Sequence, residues 1–271
     1  MNTIRYWICG DLHGSHLPIE NFWRRNKDKF NFSPETDCII LLGDAGLNYY
    51  DYGNGKGDRK VKRKLSKLPF TYFCIRGNHE PRAQVCCDRD PDSWSFLPTA
   101  ALFNGPVYKQ SLYPHIYYAL DTPEVYNIAG LNTLVIPGAY SVDKYHRLAN
   151  QWNWFSDEQL AEYEREEGLA ICREYNWTFD LILSHTCPIM YEPTDLFLSV
   201  VDQSTVDKTM ERYLGQIEYN LNYKLWCWGH YHHYRVYPNY EGKQCIMLSD
   251  GKEVINLQET LNRLPVYPIT Y

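Results

Sequence analysis

Short apolar runs closed by Gly, Asp or Pro alternate along this chain with longer amphipathic stretches, the pattern of an α/β protein. The runs predict strands over Ile4–Cys9, Cys38–Leu42, Phe70–Ile75, Val107–Gln110, Ile116–Leu120, Val125–Ile128, Thr133–Ile136, Phe179–Leu183 and Leu225–Trp228. A hairpin is expected next, Tyr234–Tyr237 with Gln244–Leu248, around a turn at Asn239-Tyr240-Glu241-Gly242. Helices are predicted over 19–29, 59–67, 143–150, 157–174 and 205–220. Ser156 and Gln159 read as a capping box for the fourth. Ser204/Thr205 open the fifth, whose Val206, Met210, Tyr213, Leu214 and Ile217 recur at helical spacing. The tail from Leu264, with two prolines, is expected to run extended. No repeat or long linker divides the sequence, which predicts one domain over 1–271 with a C-terminal tail at 257–271.

Composition narrows the class. Of 271 residues, 44% are hydrophobic and 22% charged, which excludes a disordered chain. Net charge is −6, against binding nucleic acid through an overall basic field. No apolar run approaches the roughly 18 residues of a membrane span, and the N-terminus enters a strand without an apolar leader. A soluble, cytoplasmic protein with no membrane partner is the expectation. The nine cysteines are odd in number and form no Cys-x-x-Cys, so they read as reduced, mostly buried thiols rather than disulfides or a zinc ribbon. Cys86-Cys87 reads as an incidental loop pair.

The chemistry gathers where strands stop. Five predicted strands run into Gly10-Asp11-Leu12-His13-Gly14, Gly43-Asp44, Arg76-Gly77-Asn78-His79-Glu80, Ser184-His185 and Gly229-His230-Tyr231-His232. In α/β sheets the carboxyl ends of strands form the ligand crevice. Imidazoles and carboxylates are the usual ligands of divalent transition metals, and Asn oxygen completes such sets. Asp11, His13, Asp44, Asn78, His185, His230 and His232 make seven candidates, too many for one ion and suited to two ions sharing a carboxylate. The glycines are expected to let the backbone turn sharply after each strand.

The order Asp-x-His, Gly-Asp, Gly-Asn-His-Glu, His, Gly-His-x-His resembles the signature of the calcineurin-like metallophosphoesterase superfamily, over residues 11 to 232. That resemblance implies a four-layer αββα sandwich of two mixed sheets flanked by helices. It puts Asp11, His13 and His232 on a first metal and Asn78, His185 and His230 on a second, with Asp44 bridging. His79 is implied to protonate the leaving group, and the metals to be Mn²⁺, Fe²⁺/³⁺ or Zn²⁺. The implied activity is metal-dependent hydrolysis of phosphate esters, a metal-bridging hydroxide attacking phosphorus in line. Monoesters, diesters, nucleotides and nucleic acid all stay open as substrates, and nothing specifies an oligomer. Leu47 and Asn48 stand where the protein serine/threonine phosphatases carry an Asp and an Arg, so the bacterial and phage members are the closer match. The alternative is a non-catalytic scaffold on the same fold; the intact ligand set and His79 favour an enzyme.

Phosphate must also be gripped. In Gly138–Arg147, which follows the strand Thr133–Ile136, Tyr140, Lys144 and Arg147 fall at i, i+4 and i+7, and with Arg76 they are the candidate substrate-binding residues. The remaining features have plainer readings. Arg59–Lys67 is a solvated basic helix face with Val61, Leu65 and Leu68 inward, and Glu158–Glu167 a solvated acidic face. Gly53–Gly57 is a mobile loop beside the site rather than a phosphate-binding loop. Most of the 24 tyrosines fill core and rim.

Overall fold

A computed structural model describes residues 4–197, 199, 201–238 and 241–264. One sheet joins β1 (Arg5–Cys9), β2 (Asp37–Leu41), β3 (Thr71–Cys74), β4 (Trp94–Ala100), β5 (Gly105–Gln110), β6 (Ile116–Ala119) and β13 (Val254–Asn256) in the order β13-β1-β2-β3-β6-β5-β4. The other joins β7 (Glu124–Ile128), β8 (Leu131–Ile136), β9 (Leu181–Ser184), β10 (Leu225–Trp228), β11 (Arg235–Val236) and β12 (Gln244–Met247) in the order β11-β12-β10-β9-β8-β7. Both sheets are parallel at the centre, through β1, β2, β3 and β6 in one and β8, β9, β10 and β12 in the other. Antiparallel strands close their edges.

The layers follow from the period of two along each strand. Ile8, Ile40 and Phe73 point to one side of the first sheet and meet Val135, Leu183, Leu225, Cys227 and Ile246 of the second. The alternate residues Trp7, Ile39, Leu41 and Tyr72 point outward. They pack with Ile19 of α1 (Leu17–Asn26), Val61 and Leu65 of α2 (Lys56–Leu65) and Cys86 of α3 (Ala83–Arg89). On the far side, Leu134, Ile182, Trp226 and Trp228 pack with Leu169 and Cys172 of α5 (Glu162–Glu174) and Met210, Leu214 and Ile217 of α6 (Thr209–Asn220). Helices cover both outer faces, giving the four-layer αββα sandwich of two mixed sheets. The short α4 (Lys144–Ala149), following β8, buries none of its residues.

Several local expectations are corrected. β4, β13 and α3 were not anticipated. A helix, α7 (Leu257–Asn262), opens the 257–271 segment, and residues 265–271 of the tail expected to run extended from Leu264, like Asn239 and Tyr240 of the hairpin turn, lie outside the described residues. α5 starts at Glu162, where the Ala161 N–H donates to Glu164 Oε2 at 2.7 Å, so Ala161 and Glu164 take the places expected of Ser156 and Gln159. α6 starts at Thr209, whose N–H donates to Asp207, while Ser204 and Thr205 belong to a separate 3₁₀ turn capped by Asp202. The Gly53–Gly57 stretch is built into a 3₁₀ turn (Asp51–Gly53) and the start of α2.

Charged residues assigned to solvated faces are partly inside. Lys62 of α2 is fully buried, donating to Gly53 O at 3.1 Å and Gln110 Oε1 at 2.9 Å beside the Trp94 and Tyr113 rings. Glu158 and Glu164 are buried as well. All nine cysteines are free; eight are buried, and Cys86-Cys87 lies in α3 rather than in a loop. Among the described residues no helix is long and apolar enough to cross a membrane.

Candidate active site

β1, β2, β3, β9 and β10 all end at one rim of the sandwich, and the seven candidate ligands occupy the first turns beyond them. The close-packed inner faces bring the two sheets' carboxyl ends together there. Asp11, Asp44, Asn78 and His185 are buried, while His13 and His232 reach solvent. His13 Nε2 and His232 Nε2 face each other at 2.9 Å, and stand 3.6 and 3.3 Å from Asp11 Oδ2. On the other side His185 Nε2 lies 2.8 Å from Asn78 Oδ1 and 3.6 Å from Asp44 Oδ2. The His230 ring packs edge-on against that of His185, centroids 5.0 Å apart.

Each carboxylate is used in halves. Asp11 Oδ1 accepts from the His230 N–H at 3.0 Å and Asp44 Oδ1 from the His79 N–H at 2.8 Å. The other oxygens turn inward, and Asp11 Oδ2 is buried with no hydrogen-bond partner. A buried carboxylate oxygen left without a donor is costly unless a cation meets it. Ligand atoms of Asp11, His13 and His232 lie within 4.8 Å of one another, as do those of Asp11, Asp44 and His185. Two overlapping groups of three share Asp11, and this donor set of carboxylate and imidazole fits divalent transition ions.

The backbone is bent to achieve this. His13, Asp44, His230 and His232 all adopt left-handed φ, at 46°, 45°, 69° and 54°. Such conformations cost non-glycine residues about 1–3 kcal/mol each and collect at functional sites. Gly14 and Gly43 make the expected sharp turns, at φ 74° and 101°, but Gly77 and Gly229 serve a different purpose. A Cβ on Gly77 would stand 2.0 Å from Asp44 Oδ1, and one on Gly229 would stand 2.2 Å from Asp11 Oδ1, with neither glycine at positive φ. They are small because the carboxylates lie against them.

The electrostatics follow from burial opposed by charge. Burial works against Asp11 as an anion, but the neighbouring His13 and His232 rings outweigh it and hold its pKa low. Asp44 is likewise held well below the carboxylate range, His185 opposing the burial penalty. Burial disfavours charge on His185, yet Asp44 and Asp11 push its pKa up to about 9. Burial and the His185 charge drive His230 down to about 3, leaving a nitrogen lone pair available at any ordinary pH. The His185 Nδ1–H donates to Leu42 O at 2.7 Å, which aims Nε2 at the site.

A family model for calcineurin-like phosphoesterases matches residues 4–234. The chain belongs to that family. Comparison with curated protein sequences gives no match. Similar solved structures include phosphopantetheinyl hydrolase from Mycobacterium tuberculosis, at 15% identity and TM-score 0.44, covering 97% of this chain and 94% of that one. TT1561 of Thermus thermophilus is 12% identical with TM-score 0.48, covering 95% and 96%. A dimetal phosphatase from Danio rerio is 11% identical with TM-score 0.47, covering 93% and 89%.

Around the seven, this calcineurin-like phosphoesterase carries supporting residues that sequence reasoning missed. Asn78 Nδ2 donates to Ser141 Oγ at 2.9 Å, and Ser141 donates through Oγ at 2.5 Å and N at 3.0 Å to the two oxygens of Glu158. That chain fixes the Asn78 amide with Oδ1 toward His185. Glu80 accepts from the Gly46 and Leu47 N–H groups at 2.7 and 3.2 Å and so pins the loop after Asp44. Its place at the end of the Gly-Asn-His-Glu block was the available signal.

The proposed gripping residues divide. Arg147 Nη2 lies 3.1 Å from His79 Nε2, its Nε held at 2.8 Å by Asp143 and its Nη1 at 3.1 Å from Tyr49 Oη. Tyr140 lies beside His230 and His232 in a separate apolar cleft. Lys144 turns away, with Nζ 4.4 Å from the Trp154 ring, and Lys144 starts α4, so Tyr140 precedes the helix instead of sharing its face. Arg76 is buried facing Asp121 at 3.4 Å and donates to Glu158 O at 2.9 Å. It braces the loop carrying Ser141 and does not open onto the cleft.

Proposed function

We propose that this protein is a dinuclear-metal-dependent hydrolase of phosphate esters. The observation that carries the reading is the pair of buried carboxylates, each with one oxygen held by a backbone N–H and the other turned in among imidazoles. Asp11, His13 and His232 would hold one ion and Asn78, His185 and His230 the other, with Asp44 between. Mn²⁺, Fe²⁺/³⁺ and Zn²⁺ all suit that donor set. When bound, two such ions supply an activated water and draw charge from the phosphoryl oxygens. The two sheets contribute to one site, and on that ground we treat the chain as one domain.

The chain's own residues do the rest. His79 stands at the site's edge, 3.9 Å from Asp44 Oδ2, where a departing alkoxide needs a proton. Burial lowers its pKa, with Arg147 adding to and Asp44 opposing the effect. An arginine is always a donor, so in the free site Nε2 of His79 accepts from Arg147 and the ring proton sits on Nδ1. An arriving anionic substrate takes over the Arg147 donor, which frees Nε2 to take a proton from solvent, the imidazolium being favoured beside the anion, and to give that proton to the leaving oxygen. Arg147 thus grips substrate, held in place by Asp143, where protein phosphatases use the Asp and Arg absent at Leu47 and Asn48.

The test is a panel of p-nitrophenyl phosphate, bis-p-nitrophenyl phosphate and nucleotides with Mn²⁺. Activity should vanish with chelator and return with metal, and Asp44→Asn should lower it by more than any other single ligand change. Turnover that ignores chelator, or an Asp44→Asn protein as active as wild type, would remove the reading.

A further inference from the structure

Two clefts meet at the metal-ligand cluster, and they differ in chemistry. The first, about 480 Å³, is bounded by His13, Asp44 and His79 together with Arg147 and the rings of Tyr50 and Trp152. Tyr50 and Trp152 are both 54% exposed, and the amide side chains of Gln151 and Asn153 stand beside them. That wall offers flat aromatic faces, hydrogen-bonding groups and one cation. The second, about 320 Å³, begins at His230 and His232 and is walled by Val142, Leu196, Phe197 and Val206; the Glu192, Asp207 and Glu211 carboxyls that also line it are bonded to Lys208, Thr209 and Thr186. The Phe197 ring stacks on Tyr231 next to the two histidines, and the nearby Lys208 ammonium is neutralised by Glu192 at 2.7 Å.

One segment walls both. Tyr140 and Val142, just before α4, line the second cleft, and Arg147 of α4 with Gln151, Trp152 and Asn153 just after it line the first. The phosphorus of any substrate sits at the ligand cluster, so a group bonded to it has one cleft on each side. A monoester has one organic substituent and would leave the other cleft to water.

Resting on the hydrolase reading above, we infer that the substrate is a phosphodiester. Its leaving arm is flat, aromatic and hydrogen-bonding, of the nucleoside kind, and lies in the first cleft beside His79. Its retained arm is apolar and lies against Val142, Leu196 and Val206. Hydrolysis breaks the bond from phosphorus to the leaving oxygen. Water adds its oxygen to phosphorus, and one proton ends on the departing alcohol. The product is a monoester carrying the apolar arm.

Bis-p-nitrophenyl phosphate and p-nitrophenyl phosphate share a leaving group and differ in the retained substituent and in one unit of charge, so the change in their ratio on altering the second cleft reads that cleft. The diester should be favoured in kcat/KM by about tenfold or more, the factor one well-placed apolar group supplies in a pocket. Val142→Gln and Val206→Gln, neutral changes at positions that are not fully buried, should each cut that ratio at least fivefold, mainly through the diester's KM. A wild-type ratio near or below one, or a ratio unmoved by both variants, overturns the diester inference while leaving the hydrolase reading intact. Failure to turn over either ester with metal present removes both.

Discussion

Gly229→Ala isolates the placement of one carboxylate. The added Cβ would stand 2.2 Å from Asp11 Oδ1, while its next neighbours, Leu42 O and Asp11 Cγ, lie at 3.4 and 3.5 Å, ordinary contact distances. The backbone at Gly229 is not at positive φ, so alanine itself meets no conformational penalty. The whole clash falls on Asp11. Restoring contact to 3.4 Å needs 3.4 − 2.2, a retreat of ~1.2 Å, which carries Oδ1 out of range of the His230 N–H now at 3.0 Å. Overpacking of a closed interior costs about 1–3 kcal/mol of folding stability. Disturbing a group that orients a metal ligand costs ~10–100-fold in metal affinity, and here the ligand itself moves. Calorimetric titration of metal-free protein with Mn²⁺ should therefore show at least a tenfold weaker site, with the fold retained by circular dichroism and a modestly lower Tm. Affinity within threefold of wild type would refute the claim that Gly229 is small to make room for a metal-holding Asp11.

Three further outcomes follow from the same geometry. Ser141→Ala removes the acceptor of the Asn78 amide and should weaken one metal equivalent by ~10–100-fold while leaving the other, read by metal titration. His79→Ala should keep both metals and lower kcat by on the order of 10²–10⁴ for alkoxide leaving groups, but far less for p-nitrophenolate, which departs without a proton; equal losses on both would show that His79 is not the acid. Glu211 is buried, and burial, partly offset by the Thr186 hydroxyl at 2.7 Å, raises its pKa to about 7. A carboxyl whose folded pKa exceeds its unfolded value of 4.5 loses stability as pH rises from 4.5 to about 7 and is level above. Glu211→Gln should remove that slope, gaining at most about 3 kcal/mol over wild type at pH 8 and little at pH 4.5 by urea unfolding.

The five strand ends were legible because each combines two local signals, an apolar run and the polar residues after it. The same runs are buried on both faces, which is why they read so clearly. What stayed hidden depends on partners distant in sequence. β4 contains Pro98 and exposes Phe96, so its pairing with β5 leaves no alternating pattern to read. Glu158 and Glu164 belong to an acidic stretch, and only the tertiary fold gives them Ser141 and Arg82. Lys62 sits in a basic run, yet the helix turns it toward Gln110 and Trp94. Arg76 adjoins the ligand block but points to Asp121, a residue 45 positions on that no local pattern marks. The left-handed backbone at His13, Asp44, His230 and His232 leaves no trace in composition, since glycine is absent at those positions.

On this reading, seven side chains from five strand ends hold two divalent ions needed for phosphoester hydrolysis. Metal-free protein titrated with Mn²⁺, with bis-p-nitrophenyl phosphate turnover followed at every addition, tests it most directly. Turnover should be zero without metal and should break at two equivalents per chain, and the break should be lost in Asp44→Asn. Turnover in the metal-free protein, or full activity reached at or below one equivalent, would contradict the reading.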